Sequence, residues 1–380
     1  MPGYKDSMEN MTNKAPDDLL KIARQFAVTG SVLSVRPFGN GNINDTFLVT
    51  LHSGEGPRFI LQRLNTRVFT QPELVMKNMR IVTDHVYSRL QGVLLENDRR
   101  WTTPRVLPTR EGQDCRTDTQ GSFWRAISFI EAAETFDIIR SVAHAEEAGF
   151  ALGMFHNLVS DMPHGALSDT LEGFHITPLY LSHYDSILSG YRHRSSPETE
   201  YCIQFIERMR SKANVIEEAK ARGDLPIRTM HGDPKINNIM IDVSTQHAVC
   251  MVDLDTVKPG LVHYDIGDCL RSACNPLGEE TQDWETVRFE PDLCRAIMRG
   301  YIPQAVSFLT EKDYDYLFEA VRLIAFELGL RFFTDYLEGD VYFKSGYEKQ
   351  NLLRALVQFK LAESIESQEK AIRAIICGFR

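Results

Sequence analysis

The sequence predicts an α+β protein of two lobes, a small antiparallel-sheet N-terminal lobe followed by a mostly helical C-terminal lobe. Three observations carry that prediction. Residues 31–64 read as three strands with a glycine-rich tip between the first two, the pattern turns helical near residues 131–136, and only 239–252 interrupts it afterwards with short strands. A chain of 380 residues has room for two such lobes with separate cores. The expected divisions are a loosely ordered segment 1–15, a nucleotide-binding lobe 16–133 with the glycine-rich hairpin, and a lobe 134–380 holding the catalytic loop and substrate pocket.

Taken in order, Pro16-Asp17-Asp18 opens a short helix carrying Leu19, Leu20, Ile22, Ala23 and Phe26. Strands follow at 31–38, 46–52 and 59–64, separated by turns at Gly39–Asn42 and Ser53–Pro57. Pro72 begins a helix through about Leu90, with Leu74, Val75, Met79, Val82 and Val86 on one face. After an irregular polar stretch at 108–121, Trp124–Ile130 returns to the sheet. Helices are then expected at 144–159, 180–193, 198–222, from about Tyr264, and at 290–302, 312–338 and 345–376.

Composition narrows the class. The 43% hydrophobic and 25% charged content is that of a soluble globular chain. A net charge of −10 runs against a nucleic-acid partner, which usually meets a basic excess. Seven scattered cysteines with no C-x-x-C pair point to reduced thiols in the cytoplasm, not to disulfides or zinc. No apolar run is long enough to span a bilayer, so no membrane association is expected.

The densest chemistry lies between His231 and Thr256. An alcohol that attacks the γ-phosphate of a nucleotide needs an oriented acceptor for its proton, and Asp233 on a tight loop is the candidate base. Mg²⁺ takes hard oxygen ligands, which Asn238 and Asp253 would supply, making ATP and Mg²⁺ the expected cofactors. Lys235 is a compact positive charge two residues from the base, while His231 is read as holding the loop. In the first lobe, Gly39, Asn40 and Gly41 suit close backbone approach to phosphates, and Phe129, Ile130 and Glu131 form a candidate hinge for adenine. The strand Arg58–Leu64 has no lysine to pair with phosphate; Gln62 and Arg63 remain as substitutes on opposite faces, with Glu73 a candidate ion-pair partner of Arg63.

The register His231-Gly232-Asp233-x-x-x-x-Asn238, followed by Asp253 and by Tyr264-Asp265-Ile266-Gly267-Asp268, resembles the aminoglycoside phosphotransferase and choline kinase superfamily. That resemblance implies a protein-kinase-like fold, with Asp265 and Asp268 bracing the loop. The segments GNGNINDTF (39–47), FILQRLNTRVF (59–69), VDLDTVKPGLVHYDIGD (252–268) and FELGLRFFTDYLEGDVYF (326–343) are similar to those of N-acetylhexosamine 1-kinases. Such a likeness implies transfer to the anomeric hydroxyl of a small sugar, with Asn42, Asp253, Thr256, Arg331 and Tyr342 as its contacts. Asn42 stands where that family has a histidine, a departure that bears on the sugar's identity. Other acceptors (choline, homoserine, an aminoglycoside or another sugar) and a nucleotide-binding protein without turnover are the alternative readings.

Overall fold

The structure is a computed structural model that describes residues 16–39, 43–52, 57–92, 95, 99–163, 165–190 and 196–380. The N-terminal segment 1–15 and the hairpin tip Asn40–Asn42 lie outside the described residues, as does most of the turn expected at 53–57. The chain divides into two compact units, one of the described residues up to Asp84 with Thr103–Glu131, the other of His85–Thr102 with Ala132–Arg380.

The first unit is built on a sheet with strand order β1 (Ser31–Pro37), β2 (Asp45–His52), β3 (Arg58–Leu64), β6 (Phe123–Ser128) and β4 (Val106–Leu107), with β5 (Arg116–Thr117) paired to β6. Its long strands are rich in Val, Ile, Phe and Leu, which suit a pleated, half-buried surface. The helix α1 (Pro16–Ala23) places Asp17 and Asp18 at its positive N-terminal end and buries Leu19, Ile22 and Ala23 with Phe26, Val49, Phe59 and Trp124. Phe26 falls past the helix end and bridges to Thr109. Register then stacks functional side chains across strands: Thr46 opposes Gln62, which opposes Arg125, and Asp45 opposes Arg63, which opposes Trp124. On α2 (Pro72–Leu90), Val75, Met79, Val82 and Val86 are buried as the spacing predicts, and Leu74 is half-buried.

The second unit is mostly helical. Its strands β7 (Ala133–Glu134), β9 (Ile239–Asp242) and β10 (Ala248–Met251) form one small sheet, and β8 (Arg228–Met230) pairs with β11 (Lys258–Gly260). Around them lie α3 (Val142–Val159), α4 (Thr177–Gly190), α5 (Pro197–Met209), α6 (Val215–Ala221), α7 (Val262–Ala273), α8 (Pro291–Ala305), α9 (Glu311–Glu338), α10 (Gln350–Ser367) and α11 (Glu369–Cys377). α3 and α8 approach backbone to backbone, because a Cβ on Gly149 would sit 1.9 Å from the Ile297 carbonyl oxygen and one on Gly300 2.0 Å from that of Glu146. The central α9 starts at a capping box between Thr310 and Asp313 and stops at Gly339, whose φ of +90° suits a residue without a side chain.

Two helices differ from expectation. The single helix predicted over 198–222 is α5 and α6 joined by a 3-10 turn at Arg210–Lys212, and the one predicted over 345–376 starts later and breaks at Gln368. There the Gln368 amide donates to the Phe289 carbonyl at 2.8 Å, anchoring the break to another part of the chain. All seven cysteines are free thiols. Among the described residues no helix is long and apolar enough to cross a membrane.

Candidate active site

β8 ends at Met230, and the next eight residues form a loop and a 3-10 turn whose backbone is fixed from several sides. Asp265, fully buried in the first turn of α7, accepts the His231 amide at 2.6 Å and the Gly232 amide at 2.8 Å, and its Oδ2 also meets His156 Nε2 at 2.7 Å. Burial opposes its charge, but the hydrogen bond from His156 and the amides of the loop outweigh that and hold its pKa below the ordinary value. Gly232 has φ of +87°, and a Cβ there would lie 2.7 Å from the Thr256 carbonyl oxygen. The loop therefore requires glycine.

His231 serves the same end. The Asp233 amide donates to its Nδ1 at 3.3 Å, which leaves Nε2–H to donate to the Val252 carbonyl at 3.1 Å. Burial lowers its pKa despite the charges of Asp265 and Asp233, so the ring is neutral. Thr256, placed by resemblance among the sugar contacts, gives its hydroxyl proton to the His231 carbonyl at 2.8 Å. It closes the loop onto the turn after β10.

Three of the predicted residues are in direct contact. Asp233 Oδ2 receives Lys235 Nζ at 2.9 Å and Asn238 Nδ2 at 3.1 Å, and Asn238 Nδ2 also reaches the Asp233 carbonyl at 2.7 Å. Burial disfavours the Asp233 carboxylate, but Lys235, by charge and by hydrogen bond, and Arg271 more than compensate and keep its pKa below the ordinary value. Lys235 moves the opposite way, upward: burial pulls its pKa down, and Asp233 and Asp253 pull it further up. Asp253 is exposed, with φ of +64° at the start of the Leu254–Thr256 turn, and the Val252 amide is bonded to the Asn238 carbonyl at 2.9 Å. With its nitrogen spent on Asp233, Asn238 presents its amide oxygen as the end suited to a cation. No group of three or more His, Cys, Asp or Glu forms a metal site among the described residues. An amide oxygen and a carboxylate that need phosphate and water oxygens to complete an octahedron fit Mg²⁺, which binds in that way.

Asp268, one turn after Asp265, pairs with Arg271 at 2.8 Å through Oδ1, while its buried Oδ2 has no hydrogen-bond partner among the described residues. Burial raises its pKa against the pull of Arg271.

A cavity of about 250 Å³ opens in the same unit, walled by Phe174, Tyr180, Arg331, Asp335, Tyr342 and Phe343. The Arg331 guanidinium carbon lies 5.2 Å from the Phe174 ring centroid, 5.1 Å from Tyr180, 5.9 Å from Tyr342 and 5.4 Å from Phe343. Its pKa is raised: burial works against the charge, and Tyr180, Tyr342, Glu327 and Asp233 favour it. Arg331 and Tyr342 thus share one cavity, and Asp233 is among the charges that favour the Arg331 cation.

Sequence reasoning missed how Tyr342 is held. The buried Asp335 carboxylate accepts the amides of Val341 at 2.9 Å, Tyr342 at 2.7 Å and Phe343 at 3.0 Å, and Asn351 Nδ2 at 3.0 Å. It also missed His175, whose ring joins Glu327 to the Gly232 carbonyl. The spacing of Asp335 one helical turn after Arg331 was the available signal for the first; none pointed to the second.

In the first unit, Gly39 has φ of +73°, with no described residue beyond its chain neighbours within 4 Å of where a Cβ would sit, and Asn40, Gly41 and Asn42 fall outside the described residues. Gln62 is bonded at both ends, donating to Thr46 Oγ1 at 3.0 Å and accepting from Arg125 Nε at 2.8 Å. Arg63 points to the other face and pairs with Asp45, Nε to Oδ2 at 2.8 Å, while Glu73, the candidate partner, is exposed in the first turn of α2. Phe129 stacks edge-on with Phe38 at 5.8 Å, Ile130 is buried, and Glu131 pairs with Arg58.

An antiparallel sheet unit and a helical unit that presents an aspartate, a lysine and an asparagine on one braced loop define the α+β fold of protein-kinase-like enzymes. A model of the phosphotransferase enzyme family matches residues 34–295, and the chain belongs to that family. Its family makes it a phosphotransferase, and what it phosphorylates is a separate question.

Solved structures agree on the fold. Choline kinase from Cryptosporidium parvum Iowa II is 13% identical over 94% of this chain and 98% of its own, with a TM-score of 0.61. An aminoglycoside phosphotransferase from Alicyclobacillus acidocaldarius subsp. acidocaldarius is 14% identical over 97% of this chain and 96% of its own, with a TM-score of 0.60. Amicoumacin kinase, solved with AMP-PNP, Ca²⁺ and its amicoumacin ligand, is 13% identical over 94% and 96%, with a TM-score of 0.57.

Proposed function

We propose that this phosphotransferase uses ATP and Mg²⁺ to phosphorylate a sugar hydroxyl, the anomeric hydroxyl of an N-acetylhexosamine. The observation that carries the reading is the convergence of Arg331 and Tyr342 on one aromatic-walled cavity, with Asp233 among the charges that act on Arg331. A sugar is recognised by directional donors and acceptors set beside aromatic surface, and this wall offers both.

In the proposed reaction the acceptor hydroxyl lies against Asp233 Oδ1, the oxygen that Lys235 and Asn238 leave open. Its oxygen attacks the γ-phosphorus, the bond to the β-γ bridging oxygen breaks, and the hydroxyl proton passes to Asp233. ADP leaves with the electron pair. Lys235 balances charge on the transferring group, and Asn238 and Asp253 would hold Mg²⁺, which when bound neutralises phosphate charge. Nucleotide with a divalent cation is what amicoumacin kinase holds, which supports the same pairing here. Gly39, Asn40 and Gly41 are proposed to cover the phosphates, Gln62 backed by Arg125 to stand in for the absent strand lysine, and the Phe129–Glu131 backbone to meet adenine.

Glu172 and Glu338 at the same cavity would favour a cationic acceptor such as choline, but Arg331 already occupies the ring faces that such a cation would use. Free thiols favour a reducing compartment such as the cytoplasm. The test is ADP release over N-acetylhexosamines, hexoses, choline, homoserine and aminoglycosides, with the product's phosphate position read by NMR. Turnover with an N-acetylhexosamine and a phosphate on the anomeric oxygen is expected. Turnover confined to choline or an aminoglycoside would sink the sugar reading.

A further inference from the structure

We infer that His175 is a positioning residue: held as an imidazolium between Glu327 and the Gly232 carbonyl, it sets the Asp233 loop against the helix that carries Arg331, and turnover depends on it. The inference rests on the reading of Asp233 as the base. His175 lies between α3 and α4, outside every motif that suggested chemistry, yet it is buried and holds a left-handed backbone, φ +65°. A non-glycine residue keeps that conformation only where its surroundings determine it.

The hydrogen bonds favour a charged ring. Nδ1 lies 2.9 Å from Glu327 Oε1 and Nε2 lies 2.8 Å from the Gly232 carbonyl oxygen. A carbonyl cannot donate, and the other Glu327 oxygen already receives the Thr177 hydroxyl at 2.7 Å. Against an ionised Glu327, a neutral ring with its one N–H would leave one nitrogen facing an acceptor, whereas the imidazolium satisfies both. Tyr264 of α7 stacks on the ring at 5.4 Å, Phe174 packs at 4.0 Å, and Asp268 of α7 adds a negative charge. Burial favours the neutral ring, but Glu327, the Gly232 carbonyl and Asp268 outweigh it and raise the pKa above the ordinary histidine value.

The two ends of this bridge matter differently. Gly232 precedes Asp233, so its carbonyl fixes the peptide from which the base projects. Glu327 lies one helical turn before Arg331 on the same face of α9. The imidazolium therefore ties the peptide of the base to the wall of the acceptor cavity. The link is intact below the raised pKa and is lost as pH rises through it, when Nε2 turns from donor to acceptor against a carbonyl.

The test uses the full chain, Mg-ATP and the N-acetylhexosamines as acceptors. Glu327→Gln keeps an oxygen for Nδ1–H but removes the charge, so the alkaline limb of the kcat profile should move down by about one pH unit, with KM for ATP unchanged. His175→Ala should lower kcat about tenfold or more, and His175→Gln, which can still donate to Gly232, should recover part of it. Isotope-edited NMR of the His175 ring should follow the same pH displacement in Glu327→Gln. A ring pKa that drops while the kcat profile stays superimposed on that of the unsubstituted protein would overturn the inference, as would a His175→Ala enzyme with unchanged kcat. Asp233→Asn separates the two readings: if it keeps turnover, the base assignment falls, whereas a dead Asp233→Asn beside a fully active His175→Ala rejects His175 alone.

Discussion

Lys235 Nζ lies 2.9 Å from Asp233 Oδ2, the same oxygen that Asn238 Nδ2 reaches at 3.1 Å, so both hold one side of the carboxylate and the proposed hydroxyl acceptor is the other oxygen, Oδ1. A carboxylate kept ionised in this way is a weak base. That suits phosphoryl transfer, in which the nucleophile needs orientation more than early deprotonation.

Asp233→Asn should therefore keep the fold, since Asn can still accept from Lys235 and Asn238, but lose turnover. A general base is commonly worth about 10²–10⁴-fold, and a kcat loss of that size with unchanged ATP affinity is expected. Isothermal titration with an ATP analogue and a coupled ADP assay would check both halves. Retained kcat would remove Asp233 from the proton-transfer step.

How much of this was legible in the sequence depended on distance along the chain. The loop His231–Asn238 was readable because its residues act on one another within eight positions, and Asp265 belonged to a recognisable run. β7, β8 and β11 were invisible because two or three residues cannot display an alternating pattern. His175 was equally hidden, because it meets Gly232 57 positions away and Glu327 152 positions away. The Thr46-Gln62-Arg125 ladder emerged only once strand register was known, and it turns an apparent lysine deficit into a buried arginine held against Gln62.

Arg331→Lys tests whether the cavity wall needs a planar cation. An ammonium would lose the stacking on Tyr180, Phe174 and Phe343 and the forked donors that Arg offers. KM for the acceptor should rise about tenfold, which corresponds to about 1.4 kcal/mol, with little change in KM for ATP. Steady-state kinetics with the acceptor varied at saturating ATP would measure it; an unchanged acceptor KM would place Arg331 outside the substrate site.

Asp335→Ala should reach the same cavity by another route. Three loop amides and Asn351 would lose their acceptor, and buried donors left unpaired cost about 1–3 kcal/mol each where water cannot replace the carboxylate. Tyr342 would then lose its fixed backbone, so acceptor KM should rise together with a lower melting temperature. Arg331→Lys should raise KM with a much smaller thermal shift. Equal thermal shifts in the two variants would contradict this division between a contact residue and the residue that holds the loop.

The pH dependence of stability should show the cost of burying His263. Its ring is fully buried in the first turn of α7, with Nε2 3.0 Å from the Asp313 carbonyl, and burial drives its pKa down to about 4 against the pull of Asp313. In the unfolded chain the ring titrates near the usual value of about 6.5. The folded pKa is the lower of the two, so the unfolded state binds the proton first and stability falls as pH drops from about 6.5 to about 4. A difference of this size corresponds to roughly 3 kcal/mol across that window. Denaturant unfolding at pH 7 and pH 5 should show the loss, and His263→Gln, which can still donate to Asp313, should reduce it. A variant with an identical pH slope would assign the acid sensitivity to other groups.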